Sequence, residues 1–284
     1  MELMLPGRDP LSLDRPKIMG VLNLTPDSFS DGGLHQNADA ALSQAVRMAN
    51  EGADIIDLGG ESTRPGARRV GVEEQKRRVL DILSRIRQEL DRSRPEVILS
   101  IDTTRVAVAA AALDAGASIL NDVSAGRDDL SMFQLAAERR VPIVLMHLQG
   151  EPETMQDKPS YENVVHQVES FLIERAEAAQ RVGVSPSQIV IDPGIGFGKS
   201  LEHNLALLGA IGRFASARYP ILLGTSRKRF IGQISSDIDP VDRVGGTCAT
   251  TALGVAAGVR LFRVHDVVEN RQAADVAFAI HAVV

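Results

Sequence analysis

Eight short apolar runs, each followed by a longer amphipathic stretch, divide the chain nearly end to end. This alternation constrains the fold more than any other feature. The runs cover residues 18–23, 55–58, 97–102, 118–121, 142–147, 189–192, 220–225 and 259–264. The helix-like stretches cover 38–51, 72–90, 105–115, 129–138, 161–182, 201–214, 241–257 and 267–284. Gly52, Gly116, Gly183 and Gly258 each stand after a periodic stretch and before a run, where a helix is expected to stop. Strands separated by helices imply βαβ units and parallel pairing. Continuous apolar strands imply that both sheet faces are covered. Eight such units fit a (β/α)8 barrel, an α/β fold of about 250 residues. The chain has 284 residues. It is expected to be one domain, 1–284, with residues 1–16 as an arm capping the barrel floor. A doubly wound open sheet is the competing architecture.

Composition narrows the partners. There are 31 Lys and Arg against 37 Asp and Glu, a formal charge of −6. That argues against nucleic acid or an anionic membrane as partner. A local basic cluster could still receive a small anionic substrate. The single cysteine, Cys248, allows no internal disulfide, and a small apolar role is expected for it. The first ten residues, MELMLPGRDP, lack a basic segment followed by an apolar one, so no signal peptide is expected. No apolar stretch approaches the roughly 20 residues of a membrane span. The expected location is the cytoplasm.

In a barrel the chemistry sits at the C-terminal strand ends. Here those ends carry Asn23, Asp102, Asn121-Asp122, His147 and Asp192. Run seven leads into Ser226-Arg227-Lys228, and run eight ends at Arg263 with His265 beyond. Run two leads into a Gly-rich stretch holding Arg64. One polar strand end is commonly a helix cap, but capping does not call for Lys, Arg and two Asp to converge. Asp102, Asn121 and Asp192 offer acceptors and an amide to a flat heterocycle with a guanidine-like edge. Lys228 offers a donor to a ring carbonyl or nitrogen. Asn23, Arg263 and His265, with Arg64, suit an anion or a metal-chelated phosphate.

Other motifs fail. Asp192-Pro193-Gly194-Ile195-Gly196-Phe197-Gly198-Lys199-Ser200 lacks the glycine spacing of a P-loop or a dinucleotide fingerprint, leaving a tight turn. The six histidines show no zinc spacing. No G-x-S-x-G nucleophile elbow is present.

Several stretches, in order, resemble the dihydropteroate synthase family. The longest are Ile18-Met19-Gly20-Val21-Leu22-Asn23-Leu24-Thr25-Pro26-Asp27-Ser28-Phe29-Ser30-Asp31-Gly32-Gly33 and Gly59-Gly60-Glu61-Ser62-Thr63-Arg64-Pro65-Gly66. Ser100-Ile101-Asp102-Thr103, Asn121-Asp122-Val123, Leu145-Met146-His147, the 192–199 stretch, Ser226-Arg227-Lys228 and Arg263-Val264-His265-Asp266 follow. The resemblance spans about residues 17–280. It implies a (β/α)8 barrel that condenses 6-hydroxymethyl-7,8-dihydropterin diphosphate with 4-aminobenzoate, giving 7,8-dihydropteroate and diphosphate. It also implies Mg2+, competition by sulfonamides and a homodimer.

Site roles follow from the same resemblance. Asp102, Asn121, Met146, Asp192, Lys228 and Arg263 would hold the pterin. Asn23, Arg263 and His265 would bind diphosphate, with Asn23 touching Mg2+. Phe29, Thr63, Arg64, Pro65, Phe197, Ser226 and Lys228 would surround the aminobenzoate. Asp31, Lys228, Arg263 and His265 would serve catalysis, with Asp31 facing the reacting carbon. Loss of diphosphate leaves a ring-delocalised cation, so the expected route is SN1-like and needs no strong base. Two alternatives remain. A pterin-binding methyltransferase domain would not need the Thr-Pro-Asp-Ser-Phe-Ser-Asp loop or Ser226-Arg227-Lys228. A catalytically silent homologue would be expected to lose anion-binding residues.

Overall fold

The structure, a computed structural model, describes residues 1–24, 34–62, 66–67, 69–151, 153–216 and 218–283, without the side chains of 34–37. Among these residues eight parallel strands form the central sheet: β3 (Lys17–Asn23), β4 (Ile55–Gly59), β5 (Ile98–Asp102), β6 (Ile119–Asp122), β7 (Ile143–Met146), β8 (Ile189–Asp192), β9 (Leu222–Leu223) and β10 (Leu261–Val264). Their order is β8-β7-β6-β5-β4-β3-β10-β9. A parallel bridge between Ile191 and Ile221 joins the two ends. That closure excludes the open doubly wound sheet and makes the fold an α/β TIM barrel. The seventh strand is shorter than its apolar run suggests, pairing with β10 only over Leu222–Leu223.

The helices follow the strands: α1 (Leu34–Asn50), α2 (Val72–Ser93), α3 (Val106–Asp114), α4 (Ser131–Arg139), α5 (Val164–Arg181), α6 (Leu201–Gly209), α7 (Ile211–Ala215), α8 (Arg229–Ile234), α9 (Val244–Ala256) and α10 (Val267–His281). The expected sixth helix is divided at Ala210 into α6 and α7. A short extra helix, α8, stands between β9 and α9.

Strand residues alternate between two environments, as the two-residue pleat requires. One parity, including Ile56, Leu58, Leu99, Ile101, Ile143, Leu145 and Phe262, packs against the helices. The other points to the barrel axis. Its lowest layer is apolar in every strand: Met19, Ile55, Ile98, Ile119, Val144, Val190, Leu222 and Leu261. A small antiparallel hairpin of β1 (Glu2–Leu3) and β2 (Leu11–Ser12) closes this layer from below. Its Leu3 and nearby Leu5 and Leu13 join the same cluster. Each fully buried side chain of this kind contributes about 1.5–3 kcal/mol.

Two residues further along, the inward positions change character to Val21, Asp57, Ser100, Asn121, Met146, Asp192, Gly224 and Arg263. The registers Val21↔Asp57 and Asp57↔Ser100 set neighbours side by side. The pattern thus builds a dry floor with a polar chamber directly above it.

Candidate active site

The chamber opens at the C-terminal strand ends. A small recess of about 50 Å3 is lined by Val21, Asn121, Met146, Asp192, Lys228 and Arg263, among others. It shares Val21, Phe197, Ser226, Lys228, Arg263 and His265 with a cleft of about 810 Å3, whose wall also includes Asn23. So Asn23, Asn121, Met146, Asp192, Phe197, Ser226, Lys228, Arg263 and His265 come together around one opening. Asp102 joins them through Arg263, whose Nη2 donates to Asp102 Oδ2 at 2.8 Å. Phe29, Asp31, Thr63, Arg64 and Pro65 lie outside the described residues.

The strand-end strategy passes over one residue, Asp57, in the middle of β4. It is fully buried. Its Oδ2 accepts from Arg263 Nε at 2.7 Å and from Asn121 Nδ2 at 2.9 Å. Its Oδ1 is buried with no hydrogen-bond partner. Asp57 therefore orients both the guanidinium and the amide that the site presents. Its sequence signal is a carboxylate at an inward position of an otherwise apolar strand, where burial is costly without partners.

Arg263 thus bridges two carboxylates. Burial pushes the Asp102 carboxyl upward, and the Arg263 charge opposes that shift. Asp102 and Asp192 each have one oxygen committed to the protein. Asp102 uses Oδ2, and Asp192 Oδ1 accepts from the Gly194 N–H at 2.7 Å. Asp102 Oδ1 and Asp192 Oδ2 take no hydrogen bond from the described residues. Burial also raises Asp192, with the Lys228 charge opposing. Asp122 has a different task, accepting from Ser124 N, Ser124 Oγ and Gly126 N to shape its own turn.

Lys228 caps the start of α8, and its Nζ lies 4.4 Å from the Phe197 ring centre. Nζ also donates to the Ile195 carbonyl. Burial lowers Lys228 to about 8, with Asp192 pulling the other way. Met146 packs with Val123, Leu148, Met155 and Phe197, giving the recess an apolar side. At the rim, Ser226 Oγ accepts from the His265 N–H at 3.0 Å and lies 3.0 Å from His265 Nδ1. Arg227, also on the cleft wall, pairs with Asp266, its Nε 3.0 Å from Oδ2.

The 192–199 stretch is a tight turn, and its glycines have steric causes. Gly194 and Gly198 have φ of +65° and +61°. A Cβ on Gly194 would lie 1.9 Å from His147 O, and one on Gly198 would lie 2.3 Å from Gln149 O.

Chemically, the arrangement pairs a recess for a flat, polar, hydrogen-bonding ring with a cationic rim. Comparison with known proteins agrees. The pterin-binding enzyme family model matches residues 19–265. A dihydropteroate synthase from Synechocystis is 44% identical over 266 residues, covering 94% of this chain and 90% of that protein. The structure of Xanthomonas albilineans dihydropteroate synthase with 4-aminobenzoic acid superposes with a TM-score of 0.91 at 44% identity, covering 99% of this chain and 98% of that one. The same enzyme in complex with 7,8-dihydropteroate gives a TM-score of 0.87 at 40% identity, covering 99% of both chains. The chain belongs to the dihydropteroate synthase family of pterin-binding enzymes.

Proposed function

We propose a division of labour for the transferase reaction of this chain, which forms dihydropteroate from 6-hydroxymethyl-7,8-dihydropterin diphosphate and 4-aminobenzoate. The recess takes the pterin. Asp102, Asp192 and Asn121 meet its donor-rich edge, Lys228 donates to its ring acceptors, and Met146 packs beside the ring. Asp57 orients Asn121 and Arg263 through its hydrogen bonds to both. The observation that carries this reading is the recess itself, where acceptors at its base open into a rim of Lys228, Arg263 and His265.

The C–O bond to diphosphate breaks at the carbon attached to the pterin ring. The electron pair leaves with diphosphate, whose growing charge is offset by Arg263 and His265. The ring-delocalised cation is captured by the neutral arylamine, which then loses a proton. The aminobenzoate lies near Phe197, Ser226 and Lys228. The roles expected of Phe29, Thr63, Arg64 and Pro65 toward the aminobenzoate, and of Asp31 toward the cation, rest on the family resemblance, since these residues lie outside the described ones. Shielding the cation from water is what separates transfer from hydrolysis.

Mg2+ fits as a passenger of the substrate. No group of three or more His, Cys, Asp or Glu among the described residues could cage a metal. Mg2+ usually takes few protein oxygens and several from phosphates. The Asn23 amide oxygen at the cleft wall suits one such position. When bound, Mg2+ would neutralise charge on the leaving diphosphate.

A homodimer is also part of the reading. The exposed positions of α9 and α10 include Leu253, Val276 and Ile280, at 69%, 61% and 63% exposure. An apolar outward stripe on two adjoining helices is suited to burial against a second copy.

The test is to follow diphosphate release and dihydropteroate formation, with and without 4-aminobenzoate and Mg2+. Equal amounts of both products support the transfer, and slow release without aminobenzoate, yielding hydroxymethyl dihydropterin, supports the cation. Diphosphate release with no dihydropteroate in the complete mixture would refute the transfer. No turnover at all would identify a silent homologue. Full activity with a chelator would remove Mg2+ from the reading.

A further inference from the structure

Lys199 has no part in the roles above, yet it is 3% exposed at the foot of the cleft wall. Its Nζ lies 2.9 Å from Gly194 O, 3.0 Å from Phe197 O, 3.0 Å from His147 Nδ1 and 3.3 Å from His147 O. The other carbonyls of the same loop are also held. Ile195 O accepts from Lys228 Nζ, Gly196 O from Gln156 Nε2 at 2.7 Å, and Gly198 O from the Tyr161 hydroxyl at 2.9 Å. Five successive carbonyls, 194 to 198, thus each accept from a side chain. Converging carbonyl oxygens repel one another, and the buried Lys199 Nζ between them donates to them while gaining its own partners; burial holds its pKa well below the usual lysine value. His147 suits the arrangement, because burial and the nearby Lys199 and Arg127 charges lower its pKa and keep the ring neutral.

The loop carries two groups that face the substrates. Its Gly194 N–H anchors Asp192, and Phe197 forms a wall of both the recess and the cleft. Its backbone lies flat on the segment after β7, where Gly194 and Gly198 leave no room for a Cβ. We propose that Lys199 is a positioning residue for the transfer reaction, its buried Nζ fixing the 194–198 loop against the end of β7 and so setting where Phe197 and Asp192 meet the two substrates. The proposal rests on the substrate placement given above.

Lys199→Gln and Lys199→Met are compared with wild type by active-site titration, thermal midpoint and separate KM values. Misplacement of about 1 Å can cost up to about 100-fold in rate. The expected result is an increase of about tenfold or more in KM for 4-aminobenzoate and a lower kcat per titrated site. A purely structural lysine would instead lower the midpoint and the titrated fraction while leaving both KM values and the kcat per site at wild type, which overturns the proposal. If neither variant folds, Tyr161→Phe and Gln156→Met decide. Each removes one other carbonyl partner of the loop without touching a charge. A raised aminobenzoate KM supports the positioning role, and unchanged KM values overturn it. Wild-type turnover tests the substrate placement separately, so the two failures are distinguishable.

Discussion

Arg263 holds Asp57 and Asp102 at once, and removing it strands two buried carboxylates. Breaking one side of a buried ion pair typically costs roughly 3–5 kcal/mol. Arg263→Ala is therefore expected to abolish turnover and also lower stability. Burial already raises the Asp102 pKa, and loss of the guanidinium would raise it further. Its carboxyl then takes up a proton more readily on folding, so the deficit should shrink as pH falls from 8 to 5.5. Denaturant unfolding at both pH values checks this, and a pH-independent deficit would contradict it. Lys228 gives the second residue-scale prediction. Its pKa of about 8 means that it is charged below that pH and neutral above. Pterin affinity should therefore weaken as pH rises through about 8. Titrations from pH 6 to 10 should show this step in wild type and lose it in Lys228→Met, whose profile reports the ligand's own ionisation. Asp57 shows where reading residues along the chain stops short. It lies mid-strand in an apolar run, and only the successive pairing of β10, β3, β4, β5 and β6 brings it to Arg263 and Asn121.

At the scale of elements, the strands are legible as apolar runs, but because those runs are apolar throughout, their facing is decided only by the barrel. The 18–23 run, for example, is seen as β3, with Met19, Val21 and Asn23 on one face. The ends are less legible. The 220–225 run pairs with β10 over only two residues, because Ile221 bridges to Ile191 and only Gly224 and Thr225 lead on into the turn holding Ser226 and Lys228. The 192–199 loop can be read as a turn, but its tightness depends on contact with the segment after β7, far away in sequence. That contact predicts the cost of Gly194→Ala. The left-handed backbone alone costs about 1–2 kcal/mol, and the new Cβ would overlap His147 O. Gly7→Ala is the control, with φ of +66° and nothing within 4 Å of the added Cβ. Gly194→Ala should destabilise by clearly more than Gly7→Ala in denaturant unfolding. Equal losses would mean that the loop can move away.

At the scale of the whole molecule, the proposed dimer can be tested on the outward face of α9 and α10, where Leu253 and Ile280 are exposed. Leu253→Glu combined with Ile280→Glu should shift the protein from twice the chain mass to the chain mass in light scattering. A wild-type protein already at the chain mass would remove the dimer from the reading. No helix among the described residues is long and apolar enough to cross a membrane.

The alternation of runs and helices was enough by itself to determine eight parallel βα units and the end at which chemistry occurs, though not their closure into a barrel or the strand face that points inward. These are local regularities, carried by residues close in the chain. Only the tertiary structure decided which groups meet. Arg263 reaches Asp57 across 206 positions and Asp102 across 161, and Lys199 reaches His147 across 52. Such partnerships depend on barrel closure and strand stagger, which bring distant side chains within hydrogen-bond range and exclude the water that would otherwise satisfy them.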